Sequence, residues 1–450
     1  MKDIAVGYFD LLEKIHVSAI TIDKNFLRPL RYYANVTIIP VAKRGEIEDS
    51  FRDIEKYKLD YLYVDCHYLF LQSFLLREKL GIDIPFIIVL HTVYTYKDRY
   101  VQVIPLIRKY DIILAPSGYA KESFLRISDK FDVKVVPYFL DIKFIQKNIS
   151  NNFNEHKKVI TFMGRLIKEK GIGTLIKCMP KIISKVNNAH LNVIGPLSGQ
   201  DITDYPKSPF VKKIEREIRR LKLTNRIHFK GVRFDLDKYK ILSKSDIFIN
   251  PTTAKVDTFG VTNIEALACG LPVIATQWAG NRELITDGRN GFLVNVNYDE
   301  DKTPKVDTVQ LISFIVKVLK NKRLNLKLKK NAMETAQKFD YRKVIPKFIK
   351  LLKKRKKAKF RNRWELLKNK RITDFSHLFN RDFLFFLFFF SDLRGQTYAS
   401  LYKRIIVKGF SESRYYSTTR SKGNKNTTDI IKIRDKILHN FIDFLLLRSD

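Results

Sequence analysis

Twelve short apolar runs, arranged as two sets of six, constrain this chain more than any other feature. The first set occupies 4–9 (IAVGYF), 36–41, 61–66, 85–91, 112–117 and 133–139. The second occupies 159–164 (VITFMG), 190–195, 226–231, 246–251, 272–276 and 291–294. The runs are rich in β-branched residues and continuous rather than alternating, which is how strands covered on both faces read. Helical patterns lie between them, for instance at 208–223 and 235–244. The Asn-rich stretch QKNISNNFNEHK at 146–157 separates the two sets and has linker character. Two βα series across a polar linker predict an α/β protein with two doubly wound domains facing a cleft. The expected divisions are 1–148, 149–338, a helix at 339–354 that returns towards the first domain, and a basic, mostly helical extension at 355–450.

In such sheets ligands bind outside the carboxyl ends of the strands. Three stretches at those ends carry chemistry. In TFMGRLIKEKG, 161–171, a strand ends at Gly164, and Arg165 and Lys170 follow before the next helical pattern. Cations beside a helix N-terminus suit a phosphate, and glycines permit close backbone approach. The alternative is a solvated basic turn. In DTFGVTNIEALACGLPVIAT, 257–276, Asp257 and Glu265 stand eight positions apart around Phe259, Gly260 and Val261. Carboxylates there can accept hydrogen bonds from sugar or ribose hydroxyls. The alternative makes Asp257 a helix cap and Glu265 a partner of the helix dipole. The third is His91, ending PFIIVLH, which would point into the crevice or else be a satisfied core histidine.

Taken together, these stretches resemble retaining glycosyltransferases of family 4, which have the GT-B fold of two Rossmann-like domains. MGRLIKEKG resembles the family's Gly-Arg-Leu…Lys-Gly segment, and 257–276 its paired-acid region followed by Gly-x-Pro-Val. GNRELITDGRNGFLV at 280–294 resembles the usual continuation, and DIILAPSGYAKESFL with VKVVPYFLD the end of the first domain. The resemblance spans about 85–350. It implies transfer of a sugar from a nucleotide-sugar donor without a bound metal or other cofactor. It implies that Arg165 and Lys170 hold the donor diphosphate and that Glu265 bonds the ribose. Asp257, with the amides of Phe259, Gly260 and Val261, would hold the donor sugar, and His91 would face the reaction centre. Asp257 stands where the family usually has Glu, one methylene longer. The first βα turn, GYFDLLEKIHVS, keeps only Gly7 where the family has a glycine-rich loop. The acceptor is left open.

Two further classes compete. A sugar-nucleotide epimerase or a phosphorylase uses the same pair of domains. A nucleic-acid or anionic-surface binder would explain the net charge of +37. That charge is uneven: residues 1–150 carry +3, 151–350 carry +19 and 351–450 carry +15. No nucleic-acid module accompanies it, so nucleic acid is not the expected partner. The basic run KKRKKAKFRNR at 353–363 and the apolar FLFFLFFF at 383–390 would suit peripheral membrane contact through 353–390; the alternative is a helix packed on the body. That apolar run is too short to span a bilayer. The start of the chain lacks a signal peptide's apolar core. Three scattered cysteines, Cys66, Cys178 and Cys269, show no metal or disulfide spacing, and a cytoplasmic enzyme is expected.

Overall fold

A computed structural model describes residues 4–11, 26–41, 47–65, 70–93, 97–149, 157–197 and 208–354 of the 450-residue chain. These fall in two compact units: 4–73, 84–97 and 107–354 in one, 74–83 and 98–106 in the other. The basic extension 355–450 with its run 383–390, Cys66 and the turn at 12–25 lie outside the described residues.

The larger unit contains both expected sheets. The first joins β1 (Ala5–Leu11), β2 (Asn35–Val41), β3 (Tyr61–Asp65), β4 (Phe86–Val89), β5 (Ile112–Ala115) and β6 (Val133–Val135) in the order β2-β1-β3-β4-β5-β6. All its neighbouring strands run parallel. The second joins β7 (Lys158–Met163), β8 (Ala189–Ile194), β9 (Ile227–Gly231), β10 (Ile247–Asn250), β11 (Val273–Thr276) and β12 (Gly291–Val294) in the order β12-β11-β10-β7-β8-β9. It too is parallel throughout. The central strands β4, β5, β10 and β11 are buried at every residue, which is why their sequences are uninterrupted apolar runs. This is the two-domain GT-B architecture.

In the second sheet the chain winds outward from β7 through β8 to β9, then returns and winds the other way from β10. The reversal falls between β7 and β10, which pair at Ile160 and Ile247. Loops leaving the carboxyl ends of these two strands therefore diverge and leave a crevice.

The helix Tyr341–Lys354 closes on the first sheet. Its Val344, Ile345, Phe348 and Leu352 share one core with Tyr61, Tyr63, Ile87 and Leu114. Each such buried side chain contributes about 1.5–3 kcal/mol of transfer free energy. The Tyr61 hydroxyl also donates to the Leu352 carbonyl at 2.8 Å.

Three local expectations change. The first strand continues to Leu11, so Gly7 lies inside β1 rather than in the turn after it. A β-carbon there would lie 2.3 Å from Leu59 Cδ1, so packing explains this glycine. The run 133–139 is strand only over Val133–Val135. An antiparallel hairpin, β13 (Val296–Tyr298) with β14 (Pro304–Val306), was not anticipated. In the smaller unit the Arg77 guanidinium is fully buried, lies over the Phe74 ring and donates to the Leu106 carbonyl at 2.8 Å.

Candidate active site

β7 ends at Met163, and the chain turns through Gly164 and Arg165 into a single 3-10 turn, Lys168–Lys170. Gly171 closes that turn with φ +77° and starts the helix Ile172–Lys185. Only glycine fits there: a β-carbon would stand 2.1 Å from the Pro251 carbonyl oxygen. The turn after β7 is thus pressed against the loop after β10. The Thr253 amide donates to the Glu169 carbonyl at 2.8 Å and ties the two together.

The loop after β10 runs from Pro251 to Gly260 and ends at the helix Val261–Ala268. Its cap is Gly260, in the left-handed region with φ +92° and ψ +56°; Asp257 does not cap the helix. Asp257 is instead gripped from both sides. The Lys170 ammonium bonds one carboxylate oxygen, and the Thr252 hydroxyl donates to the other at 2.5 Å. The structure therefore brings Lys170 and Asp257 together. Arg165 is half-buried and makes no ion pair among the described residues.

Glu265 sits on the second turn of the helix, only 4% exposed. Its carboxylate takes a salt bridge of 2.5 Å from Lys238 and lies 3.3 Å from the Tyr239 hydroxyl. Burial, with Glu265 adding to it, pushes the Tyr239 phenol up, so Tyr239 stays a neutral donor. Burial likewise pushes up the Cys269 thiol, while the Cys178 thiol rises to about 11. Both cysteines are buried and free, and neither is a nucleophile at neutral pH.

A chain of buried amides braces the loop. Asn250 Nδ2 donates to Asn263 Oδ1 at 2.9 Å, Asn263 Nδ2 to Asn281 Oδ1 at 2.8 Å, and Asn281 Nδ2 to the Thr276 carbonyl at 3.2 Å. Phe259 is buried and meets Tyr138 edge-on, ring centroids 5.3 Å apart. The Val261 amide, first in its helix, has no intrahelical acceptor and faces outward from the helix end.

His91, just past β4, is stacked on Tyr138 with centroids 5.7 Å apart. Its Nδ1 bonds the Tyr138 hydroxyl and its Nε2 lies 3.4 Å from the Tyr63 hydroxyl, so its ring orientation is fixed. Four hydrogen bonds join this face to segments that follow β10 and β11. The Thr258 hydroxyl donates to the His91 carbonyl at 2.5 Å, and the Ser117 hydroxyl to the Thr258 carbonyl at 2.5 Å. Glu283 accepts the amides of Gly118 and Tyr119, each at 2.8 Å. Backbone and side chains of 257–259 are therefore positioned by both sheets.

Sequence reasoning missed Thr252, Lys238, Tyr138, Glu283 and the three asparagines. Asn250 and Asn263 left a signal, each being a polar residue inside or abutting an apolar run; Asn281, between Gly280 and Arg282, left none. Lys238 left none, because its partner lies 27 positions away on another helix.

Residues 144–335 match the family model described as Glycosyl transferases group 1. Among characterised relatives, the chain is 31% identical over 159 residues to a sucrose synthase of Melioribacter roseus (34% of this chain, 20% of that protein). It is 25% identical over 248 residues to the poly(glycerol-phosphate) alpha-glucosyltransferase of Bacillus subtilis (55% and 33%). The chain thus spans a third or less of the length of these two relatives. The crystal structure of Anabaena Alr3699/HepE in complex with UDP-glucose superposes with a TM-score of 0.60 at 18% identity, covering 78% of this chain and 99% of that one. Among the described residues no helix is long and apolar enough to cross a membrane. The parallel second sheet, its crevice at the β7/β10 reversal and the family match fall on the same residues: 144–335, within a GT-B architecture, match the model of Glycosyl transferases group 1.

Proposed function

We propose that the chain is a retaining glycosyltransferase that moves a sugar from a nucleotide-sugar donor to an acceptor hydroxyl without a metal. The observation that carries this reading is the Lys170–Asp257 pair at the crevice where the second sheet reverses, with Arg165 two residues past the end of β7 on the same edge. When the sugar leaves its donor, negative charge grows on the diphosphate. Fixed cations placed there beforehand stabilise that charge most in the transition state. Arg165 supplies one. Lys170 supplies a second, since an ammonium has three donors and can hold Asp257 and a phosphate oxygen together. Glu265 keeps lone pairs beyond those used by Lys238 and Tyr239, and these suit the ribose hydroxyls. Asp257 and the amides at 259–261 suit the hydroxyls of the sugar, and His91 faces them from the first sheet.

In the step itself, the acceptor oxygen bonds the anomeric carbon on the face from which the diphosphate departs. The bond from that carbon to the diphosphate oxygen breaks. The acceptor proton passes to the departing oxygen, and the configuration is retained. Alignment by the two sheets supplies the proximity term.

A mass-detected transfer assay over a panel of nucleotide sugars tests this, with UDP-glucose first because the Anabaena structure holds it. Turnover that persists in EDTA and yields a product of unchanged anomeric configuration is expected. Absence of hydrolysis and transfer with every donor, or loss of all turnover in EDTA, contradicts it.

A further inference from the structure

Beside the donor crevice lies a second cavity, of about 740 Å³, open to solvent. Three cations line it: Arg126 from the first lobe, and Lys255 and Arg282 from the second. Among the described residues no carboxylate lines it. Glu283, next to Arg282, is engaged with the Gly118 and Tyr119 amides. Two aromatic rings, Trp278 and Tyr298, stand together in the wall with centroids 6.4 Å apart. The indole N–H donates to the Ala254 carbonyl at 3.1 Å, which fixes that ring as a platform. Tyr298 is 63% exposed, so much of its ring is open to solvent.

The cavity and the donor crevice share one loop. Residues 254–257 carry Lys255 into the cavity and Asp257 into the crevice, and the Gly280 amide returns to the Asp257 carbonyl at 3.3 Å. A chain lying in the cavity therefore ends beside Asp257.

We infer that this cavity binds an acidic stretch of the acceptor: a sugar chain bearing carboxylate or phosphate groups. The aromatic rings offer flat apolar faces to the C–H faces of pyranose rings. Exposed amides such as Asn297 offer hydrogen bonds to hydroxyls. The exposed guanidinium groups of Arg126 and Arg282 select an anion, and their exposure makes the selection sensitive to salt. The inference rests on the glycosyltransferase reading for the word acceptor, but the binding it describes does not require turnover.

Calorimetry on the full chain tests it with four probes: tetragalacturonate, pentamannosyl phosphate, neutral mannopentaose and tripolyphosphate. At least one of the two charged sugars should bind, and which one identifies the anion. Mannopentaose should bind at least about tenfold more weakly, one decade being about 1.4 kcal/mol. Arg126→Glu should weaken the charged sugar by about tenfold, and Tyr298→Ala by about three- to tenfold, the size of a lost aromatic contact. Both side chains are exposed, so both variants should fold, and circular dichroism checks this. No binding of either charged sugar overturns the inference, as does equal binding of neutral and charged sugars. Tripolyphosphate binding as tightly as the sugars, with Tyr298→Ala without effect, also overturns it and leaves a bare anion patch. Failure here in a protein that still transfers sugar rejects the cavity alone. Charged-sugar binding in a protein that turns over no donor rejects the enzymatic reading alone.

Discussion

The carboxyl ends of the two sheets present different chemistry. At the second sheet, charges are paired and braced: Lys170 with Asp257, Lys238 with Glu265, and three buried asparagines behind them. At the first sheet, the described residues present rings: His91 stacked on Tyr138 and held by Tyr63. The sequence charge follows the same division, +3 over 1–150 and +19 over 151–350. On the proposed reading, a donor diphosphate would meet charge that these buried or half-buried pairs hold in place beforehand. The ring-lined face has few charges, so on the proposed reading acidic groups on an acceptor would be met by the cations beside Trp278.

The largest effect should come from the element shared by both lobes. Phe348 is 1% exposed between the terminal helix and the first sheet. Phe348→Ala should cost about 3–5 kcal/mol of stability, read as a lowered midpoint in urea. An unchanged midpoint would mean that the helix does not hold the first lobe together.

Arg165→Ala should lower kcat/KM by about 10²–10³-fold, the cost of one preorganised charge partner, with circular dichroism unchanged. Full turnover would remove the diphosphate role from the charged face. Glu265→Gln sharpens the same comparison: a donor-ribose role predicts a raised KM for donor, whereas a purely structural role predicts lost stability with KM intact.

Glu283→Gln tests the joint between the faces. Loss of its charge weakens two amide hydrogen bonds, each worth about 1.5–3 kcal/mol at most when charged. Turnover should fall by a smaller factor than in Arg165→Ala while donor binding persists; equal loss of both would place Glu283 with the donor site instead.

The smallest expected effect is one of pH. His190 and His228 stack at the far side of the second sheet, with His190 Nδ1 3.2 Å from His228 Nε2. Burial first, then the charges of Arg226 and Lys157 at His190 and of Lys230 and Lys157 at His228, holds both imidazoles below the usual histidine range. Their folded values are lowered, so the unfolded chain takes up protons first on acidification. Stability is therefore complete above about pH 6.5 and declines as pH falls from there through the folded values. Tm should drop by a few degrees between pH 7.5 and 5.5, and His228→Gln should flatten that slope; an identical slope in the variant would contradict the assignment.

Much of this was legible in the residues. Strands such as β10 and β11 are buried at every position, so their sequences carry the mark of two-sided burial directly. Gly260 and the two acids around it could be placed at a loop-to-helix junction because the glycine and the apolar run sit at fixed offsets. The hairpin β13/β14 was illegible: it has three residues a side, and its Tyr298 lies exposed. Contacts such as Lys238 with Glu265, or Thr258 with His91, depend on how distant segments pack, and no local pattern encodes that. The same holds for Lys170, whose bond to Asp257 exists because Gly171 lets the turn close on Pro251.

Calorimetric titration of UDP into the full-length protein in EDTA goes most directly to the paired charges at the β7/β10 crevice. Saturable binding is expected, at least about tenfold weaker in Arg165→Ala and likewise in Lys170→Ala. No binding of UDP or of any other nucleoside diphosphate, or equal affinity in all three proteins, would contradict a diphosphate grip at this face.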